Sequence, residues 1–367
     1  MAPEALLDLP ARRLGETTAG PARLRELRLM DFGTVSALRS QSLWHALAHG
    51  VGRGLPATVA LCRPAQPYVS LGYHRPLEEV DLGACARFGL PVLRRMVGGG
   101  TVYLDSGQLF FQVVVPPELV SPVPARALAR LLEPARLAFR AAGLPARFDR
   151  GELAVGGRKV CGHGAGRLDG AVVVVGNLLE RFDPGAAAGV LSAPDERSRR
   201  RLRGRMANLV GPPPGAAVDA GSFARGLLDA CGEVFGVRPT PGSLAPVELR
   251  ALRRFDRLLG STRFVQGPAR PGQRGSGDWV VKVRSGVVEG RVARGPTRLW
   301  AVVVDGALRD VELEDPEEAD PGALAEALEG QREPSPVLDA LEARSGAAAR
   351  VAAAARALLA RSEGGGR

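Results

Sequence analysis

Lysine is almost missing from this chain of 367 residues: of its 49 basic residues only Lys159 and Lys282 are lysines. Alanine, glycine and proline are abundant alongside arginine, so a coding bias accounts for the general excess of arginine. Each lysine then marks a place where a compact amine with a mobile proton differs from a permanently charged fork. Cysteine is scarce as well. Cys62, Cys85, Cys161 and Cys231 lie far apart with no CxxC spacing, which argues against a zinc ribbon or a disulfide framework and suits a reducing cytoplasm. Long apolar runs are absent. The longest, such as Ala171–Val175 and Ala301–Val304, are strand-sized and far short of a membrane span, and Met1–Arg25 has no apolar core of a leader. A cytoplasmic protein without a membrane partner is expected. The formal charge of +10 and isoelectric point near 10.5 invite a nucleic-acid partner. Aromatic residues make up 5% of the chain and do not interleave with the basic ones, so no such partner is expected. No internal repeat is present.

The length favours two domains with cores that need no staples. Leu24–Phe32 alternates as a first strand, and Ser40–His49 has helical spacing with Ser40 or Ser42 near its cap. His45 and His49 stand four apart there, but no glutamate follows the first and no third ligand is evident, so no metal site is expected. Val59–Cys62 and Tyr68–Leu71 form short strands, the second leading into the turn Gly72-Tyr73-His74-Arg75-Pro76. Leu77–Phe88 is a helix and Pro91–Leu93 a strand. Leu109–Val115 is the return strand of a glycine hairpin. Arg126–Ala142 is helical with a kink or break at Pro134. Glu152–Val155 and Arg158–Gly162 flank a Gly156-Gly157 turn, and Ala171–Leu179 is a further strand. Strands joined by hairpins with irregularly placed helices indicate an α+β fold, a largely antiparallel mixed sheet flanked by helices.

Asp195–Arg205 carries six arginines and is expected to be a solvated face, with an anionic ligand or an acidic partner surface as alternatives. Ser222–Phe235 is a helix. From Val237 the texture changes, and Phe255–Arg274 shows little periodicity. Trp279–Arg284, Val287–Val292, Leu299–Val304 and Leu308–Leu313 are strands separated by Ser285-Gly286 and Asp305-Gly306 turns. Pro321–Glu329 and the alanine-rich Val337–Ala360 are helices before a disordered Gly364–Gly366. The expected division is residues 1–236, a small α+β domain over 237–335, and a C-terminal helix and flexible end over 336–367.

Two stretches carry chemistry. In Arg94-Arg95-Met96-Val97-Gly98-Gly99-Gly100-Thr101-Val102-Tyr103, consecutive glycines let a ligand approach backbone N–H groups, and neighbouring arginines suit an anion. It is neither the phosphate loop ending in Gly-Lys-Ser/Thr nor Gly-x-Gly-x-x-Gly. Some fifty residues later comes Gly157-Arg158-Lys159-Val160-Cys161-Gly162.

These stretches together resemble the lipoate–protein ligase A family. Arg94-Arg95-x-x-Gly98-Gly99-Gly100-Thr101-Val102-Tyr103-x-Asp105 is similar to its RRxSGGGAVFHD block, Gly157–Gly162 to GRKVSG, Gly176-Asn177-Leu178-Leu179 to HGTLLL, and Arg203–Leu209 to RSRVTNL. The resemblance implies a biotin-ligase-like catalytic fold with a small accessory domain. It also implies a ligase that forms an acyl-adenylate from ATP, with Mg2+, and passes lipoate or octanoate to a lysine of a lipoyl carrier, an E2-type domain or an H-protein-like chain. By resemblance Lys159 is catalytic. Arg95, Gly98, Gly99, Gly100, Thr101, Val102 and Tyr103 hold ATP with it, and Gly72, His74, Gly162, Gly176 and Asn177 line the acyl site. A monomer is expected. Val97, Leu104, Glu152, Val175 and Asn177 depart from the family residues. Cys161 raises the alternative of an ATP-independent transferase working through a thioester, and a non-catalytic binder of lipoylated carriers is a third possibility. Biotin ligases carry a GRGRxGR-type loop that is missing here. Lys282, inside a strand, is expected to be structural or on the surface.

Overall fold

The computed structural model describes residues 24–216, 218–267 and 278–364. The leader-free N-terminus and the disordered glycine end expected from the sequence lie outside the described residues, apart from a few at their edges. The elements are β1 (Leu27–Val35), α1 (Ala37–Val51), β2 (Ala57–Pro64), β3 (Tyr68–Leu71), α2 (Leu82–Arg87), β4 (Val92–Arg94), β5 (Val102–Leu104), β6 (Gln108–Val115), α3 (Pro124–Ala141), β7 (Arg147–Asp149), β8 (Glu152–Val155), β9 (Arg158–Leu168) and β10 (Ala171–Leu179). They continue as α4 (Pro184–Gly189), α5 (Glu196–Leu209), α6 (Ala220–Phe235), β11 (Thr240–Pro241), α7 (Pro246–Leu259) and α8 (Thr262–Gln266). The small sheet follows, with β12 (Trp279–Arg284), β13 (Val287–Arg294), β14 (Thr297–Val304), β15 (Ala307–Glu314), α9 (Pro321–Leu328), α10 (Pro336–Glu342) and α11 (Ala347–Gly364).

An eight-stranded sheet runs β11-β1-β2-β6-β10-β9-β8-β7, parallel across its first three strands and antiparallel thereafter. Successive residues of β6 point to opposite faces, as a strand requires. Phe111, Val113 and Val115 pack with Leu132, Phe139, Phe223 and Leu227 of α3 and α6. Val114 and Val173 pack with Trp44 and Leu47 of α1. The α+β expectation is met.

Several local expectations change. Ser36, not Ser40 or Ser42, caps α1, accepting from Arg39 N. Leu77–Phe88 is a short 3-10 turn followed by α2, not one helix. Pro134 is buried inside a single helix. The glycine stretch is not a hairpin returning along β6: β4 and β5 both flank β3 in a separate three-stranded sheet, while β6 pairs with β2 and β10. Val337–Ala360 is two helices, with Gly346 at φ +73° between them.

Residues after Val237 do not all leave the first body. β11 extends its sheet, and α7 lays Leu252, Phe255 and Leu259 on Leu43 and Ala46. The buried Glu248 there takes the Arg28 guanidinium at 2.6 Å. A Cβ on Gly50 would stand 2.6 Å from that glutamate, so the helices meet only over glycine. The packing therefore puts the division of the chain beyond α8. Residues 336–364 are part of the small domain, since α10 and α11 cover one face of its sheet through Leu338, Val351, Ala355 and Leu358.

The arginine run is neither a solvated face nor a ligand site along most of its length. Arg197, Arg201 and Arg205 recur every four residues on α5 and form one stripe. They pair with Glu289, Asp310, Glu312 and Glu314 of β13 and β15. The acidic partner surface is the chain's own small sheet. Among the described residues no helix is long and apolar enough to cross a membrane.

Candidate active site

The β8–β9 hairpin closes through Gly156 and Gly157, both at positive φ. The two basic residues after it then diverge. Arg158 donates to the carbonyls of Asn208 (2.6 Å), Val210 (2.7 Å), Ala207 (2.9 Å) and Gly211 (3.2 Å). These lie at and just past the C-terminus of α5, where helical carbonyls lack intrahelical donors and favour positive charge. Lys159 points elsewhere and donates at 2.8 Å to Glu152 Oε1, the pair being 21% and 8% exposed. Glu152 Oε2 accepts from Ser285 N at 2.9 Å, from the β12–β13 turn. Burial opposes ionisation of Glu152, yet Lys159, the Ser285 N–H and Lys282 together hold its carboxyl below the usual range.

The β8–β9 register shifts by one between Leu153 and Ala154. That bulge turns both Val160 and Cys161 into the core beneath α3 and α6. Cys161 is fully buried, and burial pushes its thiol up to about 12.

Beyond the bulge, β9 presents Gly162, Gly164 and Gly166 on one face. Added Cβ atoms at the last two would touch Val97 of the glycine turn at 3.2 Å, and one at Gly162 would meet Asn177 Oδ1 at 2.8 Å. Asn177 accepts from Gly162 N at 2.7 Å and donates to Gln108 Oε1 at 2.6 Å. The bare strand thus brings the glycine turn onto the lysine strand, although neither is near the other in sequence.

Within the turn, Arg95 does not face outward. Its fork donates to Ser70 O (2.9 Å), Gly98 O (3.0 Å) and Gly100 O (2.7 Å), and burial lowers its pKa to about 10. It braces the loop. Arg94 is likewise buried against the carbonyls of Gly72, Tyr73, Arg75 and Val265. The three glycines differ. Gly99 sits at φ +98°, whereas Gly98 and Gly100 have ordinary φ and nothing within 4 Å of an added Cβ. Among the described residues nothing requires glycine at 98 or 100, so the cleared space fits a ligand lying on the backbone N–H groups. Gly98→Ala and Gly100→Ala are therefore expected to keep stability within about 1 kcal/mol while weakening tenfold or more the binding of any anion held on those N–H groups. Gly99→Ala should cost about 1–2 kcal/mol. Thermal melts with calorimetric titration of ATP as an anionic probe check this; loss of stability at all three with affinity unchanged would contradict it.

Of the other anticipated residues, Thr101 donates to Glu79 Oε2 at 2.6 Å. Val102 is exposed, and Tyr103 is half-buried with its phenol pushed up to about 12 by burial first. Gly72 serves close approach: a Cβ there would lie 2.0 Å from Gly99 O. His74 is exposed, edge-on to Tyr73 at 4.9 Å. Gly176 is not brought to the site, because it lies under Phe111 on the helix-covered face, where a Cβ would stand 2.2 Å from that ring. His49 pairs with Asp169 at 2.6 Å, and His45 is buried and uncharged, its pKa lowered to about 3 by burial. No group of three or more metal-ligating side chains occurs among the described residues. Gly164, Gly166, Gln108 and Ser285 escaped the motif comparison. Only the first two had a signal, glycines alternating along a strand pattern.

Residues 37–212 match the family described as the lipoyl protein ligase A/B catalytic domain. The chain is similar to octanoyltransferase LipM of Symbiobacterium thermophilum, 28% identical over 60% of this chain and 90% of that protein. It is 30% identical to octanoyltransferase LipM of Kyrpidia tusciae, over 60% of this chain and 91% of that one. Its fold is shared by the bi-partite lipoate protein ligase of Thermoplasma acidophilum, described with its E2 lipoyl domain. There the TM-score is 0.62 and the identity 23%, covering 68% of this chain and 99% of that one.

Proposed function

The chain belongs to the family of the lipoyl protein ligase A/B catalytic domain, and from that premise we propose that it transfers a lipoyl or octanoyl group to the side-chain amine of a lysine on a carrier domain. The observation that carries the proposal is Lys159, held at 2.8 Å by Glu152 on the strand whose later residues Gly164 and Gly166 carry the glycine turn, where among the described residues nothing fills the space over Gly98 and Gly100. Amide formation needs an acyl carbon with a good leaving group and positive charge where oxygen becomes anionic. Lys159 supplies that charge, and Glu152 fixes the ammonium in place.

We further propose that the acyl group is activated with ATP. The carboxylate attacks the α-phosphorus and pyrophosphate leaves. The carrier amine then attacks the acyl carbon, AMP leaves, and the amine's proton passes to solvent. A magnesium ion would be held chiefly by the nucleotide's own phosphates. In support of this route, all four cysteines are buried and free. Burial, first among the causes, pushes the Cys62, Cys161 and Cys231 thiols up to about 12 and raises that of Cys85. A thiolate nucleophile is disfavoured throughout the chain. The similarity to octanoyltransferases favours a second reading, transfer from an acyl thioester without nucleotide.

The two are separated by mass spectrometry of a lipoyl domain incubated with octanoate and MgATP, or with an octanoyl thioester of acyl carrier protein. We expect octanoylation with the first donor and at least half of it retained in Cys161→Ala. Octanoylation from the thioester alone, abolished in Cys161→Ala, would establish the second reading instead.

A further inference from the structure

The arginines that lead into the glycine turn direct their forks into the protein, Arg94 to carbonyls and Arg95 to carbonyls and the Ser70 hydroxyl. The turn itself keeps its donors open. Among the described residues the N–H groups of Gly98, Gly99 and Gly100 meet no acceptor. Successive open N–H groups on a turn make a concavity that suits an anion. A guanidinium facing that concavity has to come from another part of the chain.

Arg75 stands there. Its segment is fastened to the turn, Tyr73 N donating to Val97 O at 3.0 Å and Arg94 Nη1 to Arg75 O at 2.6 Å. A Cβ on Gly72 would lie 2.0 Å from Gly99 O and 3.2 Å from Arg75 Cγ, so the Arg75 stem runs beside the Gly99 carbonyl. At the far end of the side chain one oxygen, Glu79 Oε2, accepts from Arg75 Nε at 3.0 Å and from Thr101 Oγ1 at 2.6 Å. The side chain therefore borders the turn at both ends, its stem at Gly99 and its head at Thr101.

Glu79 Oε1 takes Arg75 Nη2, so the carboxylate grips the guanidinium along its Nε–Nη2 edge. A guanidinium carries more N–H donors than one carboxylate can accept. Among the described residues Arg75 Nη1 has no acceptor, and the side chain is 34% exposed. Glu79 thus fixes the plane of the fork and leaves its Nη1–Nη2 end open, the edge that can take two oxygens of a phosphate. Glu79 cancels one positive charge, but Arg95, bonded to carbonyls and a hydroxyl, brings another behind the same turn.

We propose that Arg75 is a phosphate-binding residue of the glycine turn. Its open edge takes oxygens of a nucleotide phosphate seated on the Gly98–Gly100 N–H groups, and Glu79 is the positioning residue that orients Arg75 and the Thr101 hydroxyl together. This rests on the nucleotide reading given above. Arginine suits the place better than lysine would, because a planar fork can be held by a carboxylate on one edge and still present a second edge to the ligand.

The test uses the full-length chain and its Arg75→Ala and Arg75→Lys variants. ATP is titrated calorimetrically, and the KM values for ATP and for octanoate are measured separately in octanoylation of a lipoyl domain. Arg75→Ala should weaken ATP binding and raise the KM for ATP tenfold or more. The KM for octanoate should stay within twofold and the melting temperature should not move, since a partly exposed ion pair adds little stability. Lysine should recover part of the ATP affinity, as a charge without the fork. ATP affinity and both KM values within twofold of wild type in Arg75→Ala would overturn the inference and leave the nucleotide reading standing. Both KM values rising alike, with a lowered melting temperature, would also overturn it and make Arg75 a brace of the turn. Wild-type protein that binds no ATP yet acylates the carrier from an octanoyl thioester would overturn the nucleotide reading, and the inference with it.

Discussion

Lys159→Ala is expected to lower carrier acylation by about 10³-fold, the scale of losing one positioned charge or donor at a developing oxyanion. Its fold should survive. The substitution leaves Glu152 with the Ser285 N–H as its remaining bonded partner, and an under-satisfied buried acceptor costs about 1–3 kcal/mol. Glu152→Gln combined with Lys159→Ala should recover part of that stability and none of the activity, which separates the chemical role from the structural one. Lys159→Arg should also be impaired by about 10²-fold, because a planar fork replaces a point charge held at 2.8 Å. The measurements are initial rates by carrier mass shift together with circular dichroism. A folded alanine variant running above a tenth of the wild-type rate would remove Lys159 from the mechanism.

The second large effect lies in the seam between the sheets. Glu289 is fully buried, and Arg201 meets it at 2.7 Å with a side chain only 9% exposed. Arg205 is its other partner, at 3.3 Å. Arg201→Ala strands a buried carboxylate with one distant cation, and breaking a buried pair from one side costs about 3–5 kcal/mol. We expect the small sheet to melt ahead of the large one in this variant, giving two calorimetric transitions. Arg203 is exposed on the same helix, and its alanine variant should stay within about 0.5 kcal/mol of wild type. Indistinguishable melts for the two variants would mean that the arginine stripe does not hold the small sheet.

Legibility in the sequence followed the range of the forces involved. The β8–β9 hairpin and the β12–β15 meander were readable because Gly156-Gly157, Ser285-Gly286 and Asp305-Gly306 are local turn signals between strand-forming runs. The helix α7 was not, although Ala251, Leu252, Phe255 and Leu259 have helical spacing. The arginines between them gave that region the look of a linker, and only packing on α1 makes the stripe a core. Spacing likewise showed that Arg197, Arg201 and Arg205 share a face, but the acids opposite come from about 84 to 117 residues away. The glycine turn was found as a ligand loop, yet its role assignments blurred two kinds of glycine. Gly72 and Gly99 serve backbone approach and turning, while Gly98 and Gly100 face open space. Motif comparison could not show that Arg95 spends its fork on carbonyls, nor that Gly176 lies under a phenylalanine, because both depend on long-range packing.

The central claim is that the glycine turn and Lys159 together activate an acyl group with nucleotide. Octanoate-dependent exchange of labelled pyrophosphate into ATP tests it most directly, since exchange requires a reversible adenylate and no carrier. The account predicts exchange in the wild-type protein that depends on octanoate or lipoate and is lost in Lys159→Ala. Absence of exchange with either acid, in folded protein that still acylates a lipoyl domain from an octanoyl thioester, would contradict it.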